Sequence, residues 1–428
     1  MSATGGDTVV MKFGGTSVAD ADRIKHAAQR IARARDDGHR VVAVLSARGK
    51  TTDELVAMAR EVSDRPDPRE MDMLLSTGER ISCALAAMVL KDLGHQAVSL
   101  TGSQAGIVTD TSHTKARILD VRADRIMRAL DEGQIVLVAG FQGVSTALDV
   151  TTLGRGGSDT TAVALAAAVG ASVCEIYTDV SGVFSADPRI VPEARKLAQV
   201  SFEEMLEMAA SGAKVLQLRS VEYARNHGVS IHCRSSYEDG PGTLVLTEEQ
   251  TIERPLVTAV THSTDEARVT LTGLPDVPGV AGRVLTVLAE ANVNVDMIIQ
   301  NEPESQGGRA DMSFTVPRDD LVAARDALEP LKAELGIGEV STDLRMGKVS
   351  LVGAGMRSHP GVAAKTFTVL GDAGVNIEMI STSPIKISCV VHEDDVEEAV
   401  RRLHTAFDLG SDAVRHEDVA GVHRPVVS

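Results

Sequence analysis

Arg155, Ser158 and Asp159 stand inside a run suited to holding an anion, Leu153-Gly154-Arg155-Gly156-Gly157-Ser158-Asp159-Thr160-Thr161-Ala162. Its glycines remove Cβ atoms, so backbone N–H groups can close on an oxyanion and positive φ becomes available. The arginine adds a planar fork that matches a carboxylate or a phosphate. Ser158-Asp159-Thr160-Thr161 then opens an Ala-rich apolar segment, Ala162 to Ala171, as capping residues open a helix. The pattern predicts an oxyanion cradle at a helix N-terminus, where the dipole favours negative charge.

A second glycine pair lies near the start of the chain. Val9-Val10-Met11-Lys12-Phe13-Gly14-Gly15-Thr16-Ser17 reads as a short buried strand running into a tight turn. A lysine at a strand end, before Gly-Gly, is badly placed for a core and well placed to meet a phosphate. The G-x-x-x-x-G-K-[ST] spacing is absent and Lys12 precedes the glycines, so this is not a P-loop. Two Gly-rich anion loops in one α/β pattern point to phosphoryl transfer.

The elements that must carry these loops follow from periodicity. Asp20 to Arg35 places Ile24, Ala27, Ala28 and Ile31 on one helical face. Buried strands are predicted at Val41–Leu45, Gln96–Leu100, Ile135–Ala139 and Val173–Thr178, and helices at Thr52–Val62, Leu74–Leu93 and Asp120–Glu132. A further helix, Ser201–Ala210, opens with a capping box, Ser-Phe-Glu-Glu. This alternation predicts an α/β sheet covered on both faces. Asp239-Gly240-Pro241-Gly242 marks a turn, and the polar stretch Glu248 to Pro255 reads as linker. Beyond it the chain repeats itself. Pro278-Gly279-Val280-Ala281 through Met297-Ile298 aligns without a gap on Pro360-Gly361-Val362-Ala363 through Met379-Ile380, an offset of 82 residues (361 − 279). The two copies predict a duplicated βαββαβ module. The boundaries read from this pattern are 1–247, a linker at 248–263, and modules at 264–344 and 345–428.

Composition narrows the function class. The 428 residues suit two or three domains. A net charge of −17 argues against a nucleic-acid or anionic-membrane partner, and with 2% aromatics and no tryptophan a base-stacking platform is not expected. Cys83, Cys174, Cys233 and Cys389 are isolated and lack metal-ligand spacing, so they are expected to be reduced core thiols in a cytoplasmic protein, with no dedicated metal site. The opening seven residues lack an apolar signal segment, and no apolar run is read as spanning a bilayer.

Taken together the motifs resemble those of the aspartate kinase family, amino-acid kinases with tandem C-terminal ACT domains. The matching segments are Lys12 to Ser17, Ser46-Ala47 with Thr51-Thr52-Asp53-Glu54, Thr77-Gly78-Glu79-Arg80, Gly140-Phe141, the Leu153–Asp159 loop, Thr178-Asp179-Val180, Ala186-Asp187-Pro188-Arg189 and Gly212-Ala213-Lys214. In the tail, Val352 to Met356 and Asn376 to Ser381 also fit. The resemblance implies a three-layer α/β/α catalytic domain with a mainly parallel sheet, followed by two ferredoxin-like ACT modules. It implies ATP-dependent phosphorylation of the L-aspartate side chain to 4-phospho-L-aspartate, the first step toward lysine, threonine and methionine, with Mg²⁺ assisting.

Residue roles come with the resemblance. Lys12, Asp159 and Arg155 are implied as catalytic, Asp159 orienting Lys12 or the metal-bound phosphates. Glu79 is implied to hold the substrate ammonium and Arg155 a substrate carboxylate, with Thr52, Phe141 and Ser158 lining the same pocket. Lys12, Gly14, Gly15, Ser46, Thr178, Asp179, Phe184, Arg189 and Lys214 are implied to surround the nucleotide. Asp276, Asp296 and Gln300 are implied contacts for an amino-acid effector, lysine or threonine, and the modules are implied to pair chains into at least a dimer. Without the resemblance, Glu79 before Arg80 reads as a solvated ion pair.

Three departures stand out. Position 184 is Phe where the family commonly has Tyr. Ser46-Ala47-Arg48-Gly49-Lys50 carries two bases where the family commonly has Met-Gly-Asp after Ser-Ala. Glu302-Pro303-Glu304 replaces small polar residues after Gln300-Asn301, which predicts weakened or altered feedback because allosteric couplings are only about 1–3 kcal/mol. The alternatives are another amino-acid kinase and a catalytically silent amino-acid sensor. The first is disfavoured by Thr77-Gly78-Glu79-Arg80 and the doubled module, the second by intact Lys12, Glu79, Arg155 and Asp159.

Overall fold

A computed structural model describes residues 6–250, 256–301, 308–359 and 361–410, in two compact units. The first comprises Met1–Val183, Lys196–Ala210 and Lys214–Glu253. It begins β1 (Thr8–Phe13), α1 (Ala21–Asp36), β2 (Arg40–Leu45), α2 (Thr51–Val62), α3 (Pro68–Leu75), α4 (Thr77–Asp92) and β3 (Ala97–Leu100). Next come β4 (Ile107–Thr109), β5 (Ile118–Val121), α5 (Asp124–Asp131), β6 (Ile135–Ala139), β7 (Gln142–Ser145), β8 (Val150–Thr152), α6 (Gly157–Ala168) and β9 (Val173–Thr178). It closes with β10 (Gln199–Ser201), α7 (Phe202–Ala210), α8 (Leu218–His227), β11 (Ser230–Ser235) and β12 (Thr243–Leu246).

Eight strands form one sheet in the order β10-β12-β11-β9-β1-β2-β6-β3, parallel throughout except where β11 meets β12. Helices α1 and α4 cover one face, burying Ile24, Ala27, Ala28, Ile31, Cys83, Ala86 and Leu90 against Met11, Phe13, Leu45 and Leu137. Helices α5, α6 and α8 pack on strands of this sheet too, completing three α/β/α layers. Strands buried on both faces read as the continuous apolar runs seen in β2 and β6. Helix α1 starts where expected because the Asp20 side chain accepts from Arg23 N at 2.9 Å. At α7, Ser201 Oγ accepts from Glu204 N and Glu204 Oε2 accepts from Ser201 N, a reciprocal capping box.

Two predicted helices change. Leu74–Leu93 is two helices divided at Ser76, where the hydroxyls of Ser76 and Thr77 donate to the carbonyls of Met73 and Leu74. Asp120–Glu132 shrinks to α5, because Ile118–Val121 pairs antiparallel with β4 in a second sheet of order β5-β4-β7-β8. The stretch Pro68–Asp92 is long and apolar enough, by length and composition, to cross a membrane, contrary to the sequence expectation; half of its most apolar window is buried in the protein, as in a core helix.

The second unit comprises Phe184–Arg195, Ser211–Ala213 and Arg254–Ser428. Its elements are β13 (Ala259–Ser263), β14 (Glu266–Pro275), α9 (Val280–Glu290), β15 (Ile298–Asn301), β16 (Arg309–Pro317), α10 (Leu321–Leu335) and β17 (Glu339–Asp343), then β18 (Met346–Val352), α11 (Val362–Asp372), β19 (Met379–Ser383), β20 (Lys386–His392) and α12 (Val396–Ala406). The first repeat is a contiguous βαββαβ module with strand order β15-β16-β14-β17. The second repeat has order β13-β18-β20-β19, so its fourth strand comes from ahead of the first repeat, within the segment read as linker. Both sheets are antiparallel. The repeat-equivalent Met297 and Met379 meet in one small core with Met346 and Val390.

Candidate active site

The residues singled out by chemistry converge at the carboxyl ends of β1, β2, β6 and β9, where open parallel sheets place their ligands. In register, Phe13 lies beside Leu45 and Tyr177, and Leu45 beside Ala139. The loops that follow therefore share one rim. Gly14 N donates to Tyr177 O at 3.3 Å, Ser46 N to Phe13 O at 3.1 Å, and Gly140 N to Leu45 O at 3.1 Å.

Lys12 Nζ reaches Asp159 Oδ1 at 2.5 Å, and both side chains are 11% exposed. The strand places the lysine on the rim, and the first turn of α6 places the aspartate opposite it. A Cβ on Gly14 would lie 3.4 Å from Lys12 Nζ, and one on Gly15 would lie 3.0 Å from Ala47 O. The amides of Gly15 and Thr16 stand at the start of a 3₁₀ turn and, among the described residues, have no backbone acceptor outside regular elements. Gly140 is equally constrained, since a Cβ there would fall 2.7 Å from Ser158 Oγ.

Glu79 lies on the first turn of α4 and is 3% exposed. Its Oε1 accepts from Ala47 N at 3.2 Å, while Oε2 is buried without a hydrogen-bond partner. Burial pushes this carboxyl up to about 7, against the pull of backbone hydrogen bonds and nearby Arg80. A buried acid with one unsatisfied oxygen is suited to a cation supplied by a ligand. Beside it, Thr51 and Thr52 begin α2, and Gly78 packs on Ala47 and Thr51.

Phe141 has φ of 68°, a left-handed conformation unusual for an aromatic residue. Its N–H donates to Thr161 Oγ1 at 3.1 Å and its carbonyl accepts from Leu153 N at 2.8 Å, so it is held between α6 and the Arg155 loop. Ser158 and Asp159 are buried in α6, whereas Arg155 is exposed on the loop ahead of it. Thr178 Oγ1 donates to Asp179 Oδ1 at 3.1 Å, and Thr178 O accepts from Ser236 N at 2.8 Å. Lys214 is exposed between α7 and α8. Phe184 and Arg189 fall on the segment grouped with the second unit, where Arg189 pairs with Asp187 at 2.6 Å.

In the second unit Asp276 and Gln300 are exposed, and Asp296 Oδ2 is paired with Lys348 Nζ at 2.7 Å. Glu302, Pro303 and Glu304 lie outside the described residues. No group of three or more His, Cys, Asp or Glu able to hold a metal occurs among the described residues, and all four cysteines are buried and free.

One polar cluster escaped the sequence reading. Asp72, fully buried on α3, accepts from His113 Nδ1 at 2.7 Å, Thr114 N at 3.1 Å and Thr152 Oγ1 at 2.5 Å. Thr152 directly precedes the Leu153–Asp159 loop, so this carboxylate anchors the loop's base. An acid at a helix position that the apolar pattern buries was the signal available.

Residues 7–235 match the amino acid kinase family, and residues 268–333 and 349–407 each match an ACT domain. The chain is 58% identical over 407 residues to an aspartokinase of Mycolicibacterium smegmatis, covering 94% of this chain and 97% of that one. Among solved structures it resembles E. coli aspartokinase III in complex with aspartate and ADP (R-state), with TM-score 0.82, 28% identity and coverage of 94% and 99%. The same enzyme with lysine and aspartate (T-state) gives TM-score 0.71 and 29% identity, with coverage again of 94% and 99%. On this likeness along nearly its whole length, the chain belongs to the aspartokinases, within the amino acid kinase family.

Proposed function

We propose that this protein transfers the γ-phosphoryl group of ATP to the side-chain carboxylate of L-aspartate, giving 4-phospho-L-aspartate and ADP. A carboxylate oxygen bonds to the γ-phosphorus as the bond from phosphorus to the β–γ bridging oxygen breaks, and no proton need be removed. Catalysis then consists of bringing two anions together and neutralising charge on the moving group. The observation that carries this reading is the shared rim, where the Lys12–Asp159 pair, two amide-rich loops and the buried, half-satisfied Glu79 lie at adjoining strand ends.

In this reading Glu79 receives the substrate ammonium and Arg155 a substrate carboxylate, with Thr52, Phe141 and Ser158 shaping the pocket. Lys12 and the Gly14–Gly15 amides meet the transferred phosphoryl, and Asp159 holds Lys12 in place. Ser46, Thr178, Asp179, Phe184, Arg189 and Lys214 serve the nucleotide. Mg²⁺ fits as an ion held mainly by phosphate oxygens, since it needs only one or two carboxylates and no all-protein cage is present among the described residues. Bound there it would neutralise phosphate charge, with Asp159 as the carboxylate at hand.

We assign catalysis to residues 1–247 and regulation by lysine or threonine to the two modules, with β13 counted among the regulatory strands. The exposed edge strands β15 and β19 carry Ile298 and Ile380 at equivalent repeat positions, both more than 40% exposed, which fits pairing of chains through the modules. Use of ATP and four buried, free thiols fit a cytoplasmic enzyme. Trapping the product with hydroxylamine tests the whole reading: aspartyl hydroxamate should form with ATP and aspartate. No hydroxamate with any amino acid would leave a silent sensor, and product with another acid would name a different kinase.

A further inference from the structure

The Gly154-Arg155-Gly156 turn is gripped from behind by two side chains that no motif singles out. Gln217 Nε2 donates to Arg155 O at 3.0 Å. Arg219 donates through one amino group to Leu153 O at 2.8 Å and through the other to Ala116 O at 3.1 Å. Gly156, with φ of 74°, makes room for this grip, since a Cβ there would lie 2.5 Å from Gln217 Cγ. Gln217 is the N-cap residue of α8 and Arg219 lies in its first turn, so both donors are fixed to a packed helix.

Across a trans peptide the N–H points opposite to the carbonyl of the same unit. Holding Leu153 O and Arg155 O toward α8 therefore turns the amides of Gly154 and Gly156 the other way. Neither amide has a backbone acceptor among the described residues. Arg219 is half-buried, and its fork is spent on two carbonyls of separate loops. Burial and nearby Arg117 disfavour its charge more than Asp110 and Glu222 favour it. A cation kept at such a place is explained by what it holds.

We propose that Gln217 and Arg219 are positioning residues that keep the Arg155 loop's amides and guanidinium turned toward the amino-diacid substrate, so that they set aspartate affinity without touching aspartate. The proposal rests on the reading of that loop as the aspartate cradle. It also names a specificity device: the grip acts on the substrate loop and leaves the Lys12–Gly15 loop untouched.

The test uses the full chain and the variants Gln217→Met, Arg219→Met and Arg219→Lys, with Arg155→Ala as reference. Steady-state kinetics give KM for aspartate and for ATP, calorimetry gives ADP affinity, and thermal melting reports folding. Gln217→Met and Arg219→Met should raise the aspartate KM by on the order of 10-fold while ADP affinity stays within about 2-fold, as expected when one neutral or charge-assisted hydrogen bond is lost. Arg219→Lys, which keeps the charge and one donor, should recover part of the loss. An unchanged aspartate KM in both folded Met variants overturns the proposal, as does a parallel fall of aspartate and ADP affinity that tracks melting temperature. Arg155→Ala separates the two layers: if it leaves the aspartate KM unchanged, the cradle reading itself fails. If it raises KM while the Met variants do not, only the positioning role is lost.

Discussion

Lys12 Nζ and Asp159 Oδ1 are 2.5 Å apart at the junction of a parallel strand end and a helix N-terminus. The pair is only 11% exposed on either side, so the lysine is held in one place by a partner that is itself fixed in α6. A preorganised cation loses little freedom when a phosphoryl group arrives, which is how electrostatic stabilisation becomes rate acceleration. Lys12→Ala should lower kcat by on the order of 10²-fold or more, and Asp159→Asn by a smaller factor, with ADP release measured by a coupled assay. Near-normal turnover in Lys12→Ala would remove that residue from the chemistry.

Glu79 makes a pH prediction with a definite sign. Its carboxyl is raised from 4.5 to about 7 by burial, so the folded state favours the protonated form. Ionising it costs stability progressively as pH rises from about 4.5 to 7, and the full cost, on the order of 3 kcal/mol, applies above that range. Glu79→Gln removes the cost, so it should melt several degrees higher than the parent at pH 8 and at nearly the same temperature at pH 5. The same charge is what the substrate ammonium needs. The aspartate KM should therefore fall as pH rises through about 7 in the parent, and be raised on the order of 10-fold or more and flat with pH in the variant. A variant melting below the parent at pH 8 contradicts this account.

Asp72 shows how stability and the site share one group. It is fully buried and takes hydrogen bonds from three residues, the last of them at the base of the Arg155 loop. Asp72→Ala strands those donors, which costs roughly 2–4 kcal/mol and shows directly in urea unfolding. Because Thr152 leads into Leu153, the variant should also raise the aspartate KM more than the ATP KM. A large loss of stability with both KM values unchanged would confine Asp72 to folding.

The effector prediction rests on sequence at three positions. Glu302-Pro303-Glu304 follows β15 and brings two acids and a residue without a backbone donor. Inhibition curves with lysine and threonine, singly and together, should lie at high effector concentration. Restoring small polar residues at these three positions should shift them down. Tight inhibition of the parent by either amino acid alone defeats the idea.

What the chain announced and what it hid follow a physical line. Lys12, the glycine pairs and a helix start near Ser158 were legible because their chemistry is local: a strand end, a turn and a helix start lie within ten residues of one another. The cap itself differs, since Gly156 is the N-cap with no side-chain hydrogen bond and Ser158–Thr161 lie within α6. Glu79 was legible only through the family resemblance, since Glu-Arg on a helix looks solvated, and only tertiary packing leaves it 3% exposed. Asp120 and Val121, the end of the strand Ile118–Val121, read as helix because the strand's partner, Ile107–Thr109, is set by the sheet and not by its own periodicity. Strand β13 read as linker for the same reason, its partner Met346–Val352 lying more than 80 residues away. Gln217 and Arg219 carry no pattern at all, because carbonyls they hold belong to another part of the chain.

The repeat offset of 82 residues also makes a structural prediction of its own. Glu266 and Lys348 are the same position in the two copies (348 − 266 = 82), and their side chains form an ion pair, with Lys348 only 2% exposed. Equivalent residues that touch one another lie on the local two-fold axis relating the copies. The neighbours follow this relation only loosely: Asp296 pairs with Lys348, whereas its counterpart Glu378 (378 − 296 = 82) reaches Arg268, two residues along from Glu266. An exchange keeps opposite charges at the contact between the two positions. Glu266→Lys or Lys348→Glu alone sets like charges together in a buried site and should cost roughly 3–5 kcal/mol. The double exchange should recover at least half of that loss, a coupling on the order of 1–3 kcal/mol measured by a double-mutant cycle in urea. Strictly additive losses would show that the two positions are not related by the axis, and that the duplication seen in the sequence no longer governs how the modules meet.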